Sequence, residues 1–429
     1  MQAAAAIASV ERDICAVDFA AIVRAGDRVL CGQGAAEPLT LTRELVAQKD
    51  RIGPFEIFLG PVHSETFAPE RTEGIRFSSY GAIGRAALLS RRRRLDIVRY
   101  RYGALADAFA GGALKADVVL IQLAAPLLGR SASLGLANDY LVAAARQARI
   151  VVAEINSDVP WTYGAEVPAD FPLHMCVTAA RPPVDIAPVP LSETERRIAA
   201  RVADLVPNGA VLQFGVGAVP DAILAGLAHH RDLGMHSGLM TDRAVDLIEH
   251  GVITNAAKRF DRGVSVANVL FGTGRLRAHA HDNPAIRVAP PSYTHGLSVL
   301  RRIENFTAVN SAIEVDLTGR INSETAEGNY IGAIGGLRDF IEGANAAEGG
   351  RAIIALPATA RSGRSRIVAN VETVSVERDA VDAIVTEWGV AELRGCDLEE
   401  RARRIIAVAA PEFREALARS HCEGRSGDA

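Results

Sequence analysis

The chain has 429 residues, too many for one ordinary core, and two or three domains are expected. Hydrophobic residues make up 49% and charged residues 23%, the balance of a globular protein. A formal net charge of −4 leaves no global basic field, which argues against nucleic acid or an anionic membrane as partner.

Five cysteines (Cys15, Cys31, Cys176, Cys396 and Cys422) stand far apart without metal-ligand spacing. That fits free thiols in a reducing cytoplasm, and no metal site is expected. The N-terminal stretch lacks a basic region and soon meets Glu11, Arg12 and Asp13. No apolar run approaches about 18 residues, so neither a signal peptide nor a membrane span is expected.

Residues 27–31 read as a short strand, Gly32-Gln33-Gly34 as a turn, and Pro38 as the entry to a helix over 41–47. Apolar runs at 55–59, 117–122 and 150–155 alternate with helical stretches, the pattern of buried parallel strands. Gly32-Gln33-Gly34 lacks the third glycine of a dinucleotide fingerprint, which excludes NAD there. Arg91 to Arg94, with Arg99 and Arg101, form a basic cluster. It reads as a solvated helix end or, alternatively, as an attractor for ligand phosphates or a partner subunit. Residues 156–164 are a loop after a strand, where α/β proteins place ligands.

Residues 181–190 carry four prolines and are expected to form an extended linker, dividing the chain into domains at 1–185 and 190–429. Ser192 and Glu195 have the spacing of a capping box before a helix reaching Leu205. A strand over 210–214 follows, then Gly215, Val216, Gly217, Ala218 and Val219, and a helix over 221–228. Amides of such a turn, backed by a helix N-terminus, favour an anion such as a pyrophosphate.

Ala312, Ile313, Val315 and Leu317 alternate as a strand does. Beyond the Thr318-Gly319 turn, Gly332, Gly335 and Gly336 place three glycines in five positions. Such density marks close approach of backbone to a ligand or developing charge, or else a tight turn with no ligand. Residues 352–357 read as a buried strand. Arg361, Arg364 and Arg366 suit phosphates or solvent. A helix over 398–409 is followed by a helical tail that becomes polar after His421 and is expected to fray.

Together these segments resemble the acetyl-CoA hydrolase/transferase family, which includes 4-hydroxybutyrate and butyrate CoA-transferases. The resemblance is carried by Asn310-Ser-Ala-Ile-Glu-Val-Asp-Leu-Thr-Gly319, Asn322-Ser-Glu324 and the glycine loop. Gly215-Val-Gly217 with Pro220, the 156–164 loop and Val385-Thr-Glu-Trp-Gly-Val-Ala-Glu-Leu-Arg-Gly395 extend it over essentially the whole chain. It implies an α/β fold of two CoA-transferase-type domains, each an open, mostly parallel sheet flanked by helices, with the site in the cleft between them. It further implies coenzyme A as the substrate thioester, a small carboxylic acid as second partner, and a homodimer or homotetramer. The coenzyme A set it implies is Gly215, Val216, Gly217, Ala218, Val219, Ile313, Gly332, Gly336 and Arg361.

One position departs. In the family, the segment matching Leu233-Gly-Met-His-Ser-Gly238 ends in a glutamate that attacks the thioester and carries the acyl group, then CoA, covalently. This chain has Gly238 between otherwise matching flanks. Leu337 also replaces the glutamine that usually follows the glycine pair. Transfer through position 238 is therefore impossible. Either another carboxylate, Glu314 or Glu324, becomes the nucleophile, or a water in the vacated volume attacks while the Gly335 and Gly336 amides stabilise the oxyanion. Hydrolysis is the more physical option, and a non-catalytic acyl-CoA binder is the reading from another class. His236 reads as a satisfied loop or supporting histidine, or as a direct participant.

Overall fold

The computed structural model describes residues 11–426, and the N-terminal stretch in which no signal peptide is expected lies outside them. The first half builds one sheet from β1 (Glu11–Arg12), β2 (Arg28–Cys31), β3 (Glu56–Leu59), β4 (Arg76–Ser79), β5 (Asp96–Ile97), β6 (Val118–Ala124), β7 (Ile150–Asn156) and β8 (Met175–Thr178). Its order is β1-β8-β7-β6-β2-β3-β4-β5, and every pairing is parallel. All seven residues of β6 are buried, as covering both faces with helices requires. The strand order reverses between β2 and β6, which opens a crevice at their carboxyl ends, beside Gln33 and Gly34.

The segment 181–190 has no regular structure. After it, Ser192 and Glu195 form the expected capping box. The second half contributes β9 (Val211–Phe214), β10 (Gly234–Met240), β11 (Ser265–Leu270), β12 (Ile286–Val288) and β13 (Phe306–Asn310). A smaller set follows: β14 (Glu314–Asp316), β15 (Ile321–Asn322), β16 (Thr325–Ala326) and β17 (Asn329–Tyr330). The chain then adds β18 (Arg351–Ala355), β19 (Ile367–Val368), β20 (Ala383–Thr386) and β21 (Gly389–Glu392). The main sheet runs β12-β11-β10-β9-β13-β18-β20-β21, parallel except for the terminal β20–β21 hairpin. Both halves are thus open, mostly parallel sheets flanked by helices.

The alternation at 312–317 is not one strand of the main sheet. β13 ends at Asn310, and only Glu314–Asp316 is extended, in a separate sheet ordered β15-β14-β19. The turn is held by the Asp316 carboxylate, which accepts from the Thr318 amide and the Arg320 guanidinium. The last helix, Pro411–Ser426, continues past His421, where the sequence suggests fraying.

The basic cluster divides: Arg91, Arg92 and Arg93 are exposed at the end of the helix Ala86–Arg91, as a solvated helix end requires, but the later arginines are engaged. Arg94 donates to the Pro69 carbonyl at 2.7 Å and also to that of Thr72. Arg99 grips the buried Glu324 with two bonds of 3.0 and 2.9 Å, and Arg101 pairs with Glu342 at 2.7 and 2.9 Å. The last two join first half to second. One apolar cluster also runs across both, including Leu30, Phe58 and Tyr140 with Phe214, Met235 and Val269.

Candidate functional site

After β9 the chain turns sharply at Gly217, whose φ of +115° is open to glycine but strained for other residues. This bend aims the amino end of the helix Ala218–Gly226 into a groove of about 1200 Å³. Across the groove stand Ile313, Glu314 and the arginine-bearing segment with Arg361, Arg364 and Arg366. Unpaired helical amides and the exposed guanidiniums of Arg361 and Arg364 are groups able to attract an anion, while Arg366 is half-buried. Arg364 also touches Glu327 at 2.9 Å, and Arg366 donates to the Ala312 carbonyl at 3.2 Å. Glu314 accepts from the Asn322 amide at 3.0 Å.

Val216 lines the groove on one side and, on the other, a cavity of about 140 Å³ between the halves. Gln33, Tyr80 and Tyr102 come from the first half; Phe214, Gly238, Leu239, Val269, Phe271, His295 and Phe340 come from the second, with Gly335 and Gly336. The polar groups here already serve one another. Gln213 and Asn310 exchange amide bonds of 3.2 and 2.9 Å. The Tyr102 hydroxyl donates to Asn268 at 2.7 Å and accepts from Gln33, which also donates to buried Asp139 at 2.7 Å. Burial raises the Asp139 carboxyl to a pKa of about 6.

Gly238 lies on β10, with Ser237 opposite Ala267 and Leu239 opposite Val269. A Cβ on Gly238 would sit 3.2 Å from both His295 Nε2 and Phe340 Cε2. The root of the missing side chain is therefore filled by two rings, and the open volume lies beside them in the cavity. This corrects the expectation of a simple vacancy. A Cβ on Gly336 would come within 2.7 Å of His295 Nε2, so glycine there is what lets the imidazole in. The ring is packed between Tyr102 and Phe340, with centroids 4.8 and 4.5 Å away. Burial, then the neighbouring His236, brings its pKa down to about 3, so it is neutral.

The loop holding the glycines is clasped by the first half. Ala82 N–H donates to the Gly332 carbonyl and Tyr102 N–H to that of Gly335, each at 2.8 Å. Gly81 packs so close that a Cβ on it would meet the Ala333 Cβ at 2.2 Å. Gly335 has φ of +52°. Among the described residues, the Gly335 and Gly336 amides donate to no backbone carbonyl.

The structure thus gathers Val216, Gly217, Ala218, Val219, Ile313, Glu314 and Arg361 around the groove, with Gly215, Val216, Gly238, Gly335 and Gly336 on the cavity. Two residues fall elsewhere. Gly332 lines neither space, because its carbonyl is engaged by Ala82. His236 is fully buried beside Tyr293 and Phe306, and does not line the cavity. Burial and then Lys258 lower its pKa to about 4, which suits a neutral packing group. Glu324 is also unsuited to attack, being 1% exposed, doubly bound by Arg99 and bonded to the Ser375 hydroxyl at 2.7 Å. His295, Phe340, Tyr102 and Asn268 were not singled out in the sequence. The only local signal for His295 is its place in a Pro-Pro…Thr-His-Gly loop after β12.

Among the described residues no cluster of three or more His, Cys, Asp or Glu is placed to hold a metal. No helix among them is long and apolar enough to cross a membrane.

A family model described as the acetyl-CoA hydrolase/transferase C-terminal domain matches residues 272–421. The chain is 35% identical to a 4-hydroxybutyrate coenzyme A transferase of Clostridium kluyveri, over 91% of this chain and 92% of that one. Among solved structures, RipA from Yersinia pestis superposes with a TM-score of 0.91 at 29% identity, covering 99% of this chain and 100% of the other. A 4-hydroxybutyrate CoA-transferase from Porphyromonas gingivalis gives a TM-score of 0.81 at 28% identity, covering 97% and 98%.

Proposed function

The chain belongs to the acetyl-CoA hydrolase/transferase family, and from that membership we propose that it is an enzyme that hydrolyses a coenzyme A thioester. The observation that carries this reading is the make-up of the cavity wall. No carboxylate lines it, and an imidazole stands at the foot of Gly238. Glutamyl transfer needs a carboxylate in contact with the thioester carbon; water needs only a hydrogen-bond acceptor and an oxyanion site.

The groove takes the phosphates and pantetheine arm of CoA, through the amides behind Gly217 and the guanidinium of Arg361. The thioester then passes Val216, and its acyl group enters the cavity. The Thr294 hydroxyl donates its single proton to the Pro290 carbonyl at 3.2 Å, and so accepts from His295 Nδ1 at 2.8 Å. That tautomer leaves the Nε2 lone pair toward Gly238 and Gly336. Water held in the open volume of the cavity beside that ring gives its proton to Nε2 as its oxygen bonds to the thioester carbon, while the Gly335 and Gly336 amides take up the oxyanion. Collapse breaks the C–S bond, the departing thiolate removes the proton from Nε2, and a carboxylic acid and free CoA result.

Glu314 as an alternative nucleophile is less well placed, since it lines the groove and not the cavity. In this reading the two expected domains, 1–185 and 190–429, supply one wall of the cavity each. Assembly as a homodimer or homotetramer and a cytoplasmic setting complete the proposal. The test is intact-protein mass after incubation with acyl-CoAs, with thiol release read in parallel. Release without an adduct is expected. A covalent CoA adduct would restore transfer through another carboxylate, and neither release nor adduct would leave a binder.

A further inference from the structure

The cavity has a size and a charge, and both speak to the acyl group. Its volume is about 140 Å³, close to the roughly 150 Å³ apolar cavity that accommodates benzene in an engineered protein. Aromatic rings of Tyr102, Phe214, Phe271 and Phe340 form much of its wall. None of its lining residues is Lys, Arg, Asp or Glu. Its amides and hydroxyls are spent on one another, through the Gln213–Asn310 exchange and the Tyr80–Gln33–Tyr102–Asn268 chain. The Gly335 and Gly336 amides are committed to the thioester oxygen, so a carboxylate at the far end of an acyl group would find no cation and no further free donor there, and burying it unpaired is strongly unfavourable. The cations of this site, Arg91, Arg361, Arg364 and Arg366, all lie on the groove.

We propose that this protein selects CoA thioesters of uncharged, compact acyl groups about the size of a six-membered ring, and rejects dicarboxylic acyl groups and long acyl chains. The inference rests on the reading of the groove as the CoA site and the cavity as the acyl site. It extends that reading by naming the substrate class. Specificity falls to Leu239 and Val269, which face each other across neighbouring strands on the cavity wall.

The experiment measures binding of free CoA and of its S-acylmethyl thioethers carrying acetyl, benzoyl, succinyl and palmitoyl groups, since water does not cleave these. The kcat/KM of the matching thioesters is measured alongside. The benzoyl compound is expected to bind best. Acetyl, which leaves the cavity underfilled, should be weaker by about tenfold or more, and succinyl by on the order of a hundredfold. Leu239→Phe, at a half-buried position, should move the preference toward acetyl. Val269→Ile adds one methylene and should do the same to a lesser degree, should the first variant fold poorly. Equal binding of benzoyl and succinyl probes, or an acyl ranking unchanged in folded variants, overturns the inference while CoA binding stands. Failure of free CoA and every probe to bind overturns the underlying reading, and the inference with it.

Discussion

The groove and the cavity adjoin at Val216 yet solve opposite physical problems. The groove is wide, open and polar, and a helix N-terminus and four arginines stand along its walls. The cavity is some eightfold smaller, about 140 against 1200 Å³, and its polar groups are all neutral. Charge in the groove is solvated, so each contact there contributes modestly and is screened by salt. In the cavity every group is packed against another, so a single misplaced atom carries through several neighbours. Substitutions in the groove should therefore change affinity for CoA itself, and those in the cavity should change chemistry and the choice of acyl group.

The sharpest test of that division is His295→Ala. It should lower kcat for thioester hydrolysis by about a hundredfold or more, with the Kd of free CoA unchanged. An equal loss in both would dissolve the distinction between the two spaces.

Gly238→Glu tests it from the other side, by placing a carboxylate against the imidazole. Because His295 and Phe340 must yield by a few tenths of an ångström, the single variant should form a CoA adduct slowly. Combined with His295→Ala it should form the adduct faster, as read by intact mass. A folded double variant without any adduct would count against position 238 as the glutamate's site.

On the groove side, Arg361→Ala should raise KM by about tenfold with kcat little altered, and the effect should shrink in high salt. The smallest effect concerns pH. His295 has its pKa lowered to about 3, so its lone pair is free throughout the neutral and mildly acidic range. The rate between pH 8 and 5 should then show no acid limb from this ring, changing less than about twofold on its account. A limb near about 6.5 that disappears in His295→Gln would show an ordinary, solvated imidazole instead. Stability has its own sign. The folded pKa is depressed, so the contribution is full above about 6.5 and is lost as pH falls toward 3. At pH 5 the loss amounts to about 2 kcal/mol.

The groove was legible in the sequence because its parts are contiguous. Residues 215–219 combine a glycine bend with a helix start, and 359–366 gather the arginines, so each carries its signal within a few positions. The buried strands β2, β3, β6 and β7 were legible for the same reason, as apolar runs. β4 was not, because Ser78 and Ser79 give it a polar look although both are buried, with Ser78 bonded to Glu56. The cavity was hidden for a deeper reason. Gln33, Tyr102, Gly238, His295 and Phe340 meet only through the packing of the first half on the second, and Tyr102, His295 and Phe340 lie within no telling local pattern. The departure at Gly238 could be read from the sequence, but the rings that occupy its place could not. The glycine loop was ambiguous in the same way, for its close approach is to Gly81 and Tyr102 as well as to the cavity.

The hydrogen bonds from Ala82 and Tyr102 to the Gly332 and Gly335 carbonyls make that loop part of the first half's own wall. A molecule resting against Gly335 and Gly336 will steady two amides that lie far earlier in the chain. Their exchange with deuterated solvent should slow on occupancy of the cavity, although neither amide borders the groove. A part of the sequence more than two hundred residues away would then be among the first to report that the site is filled.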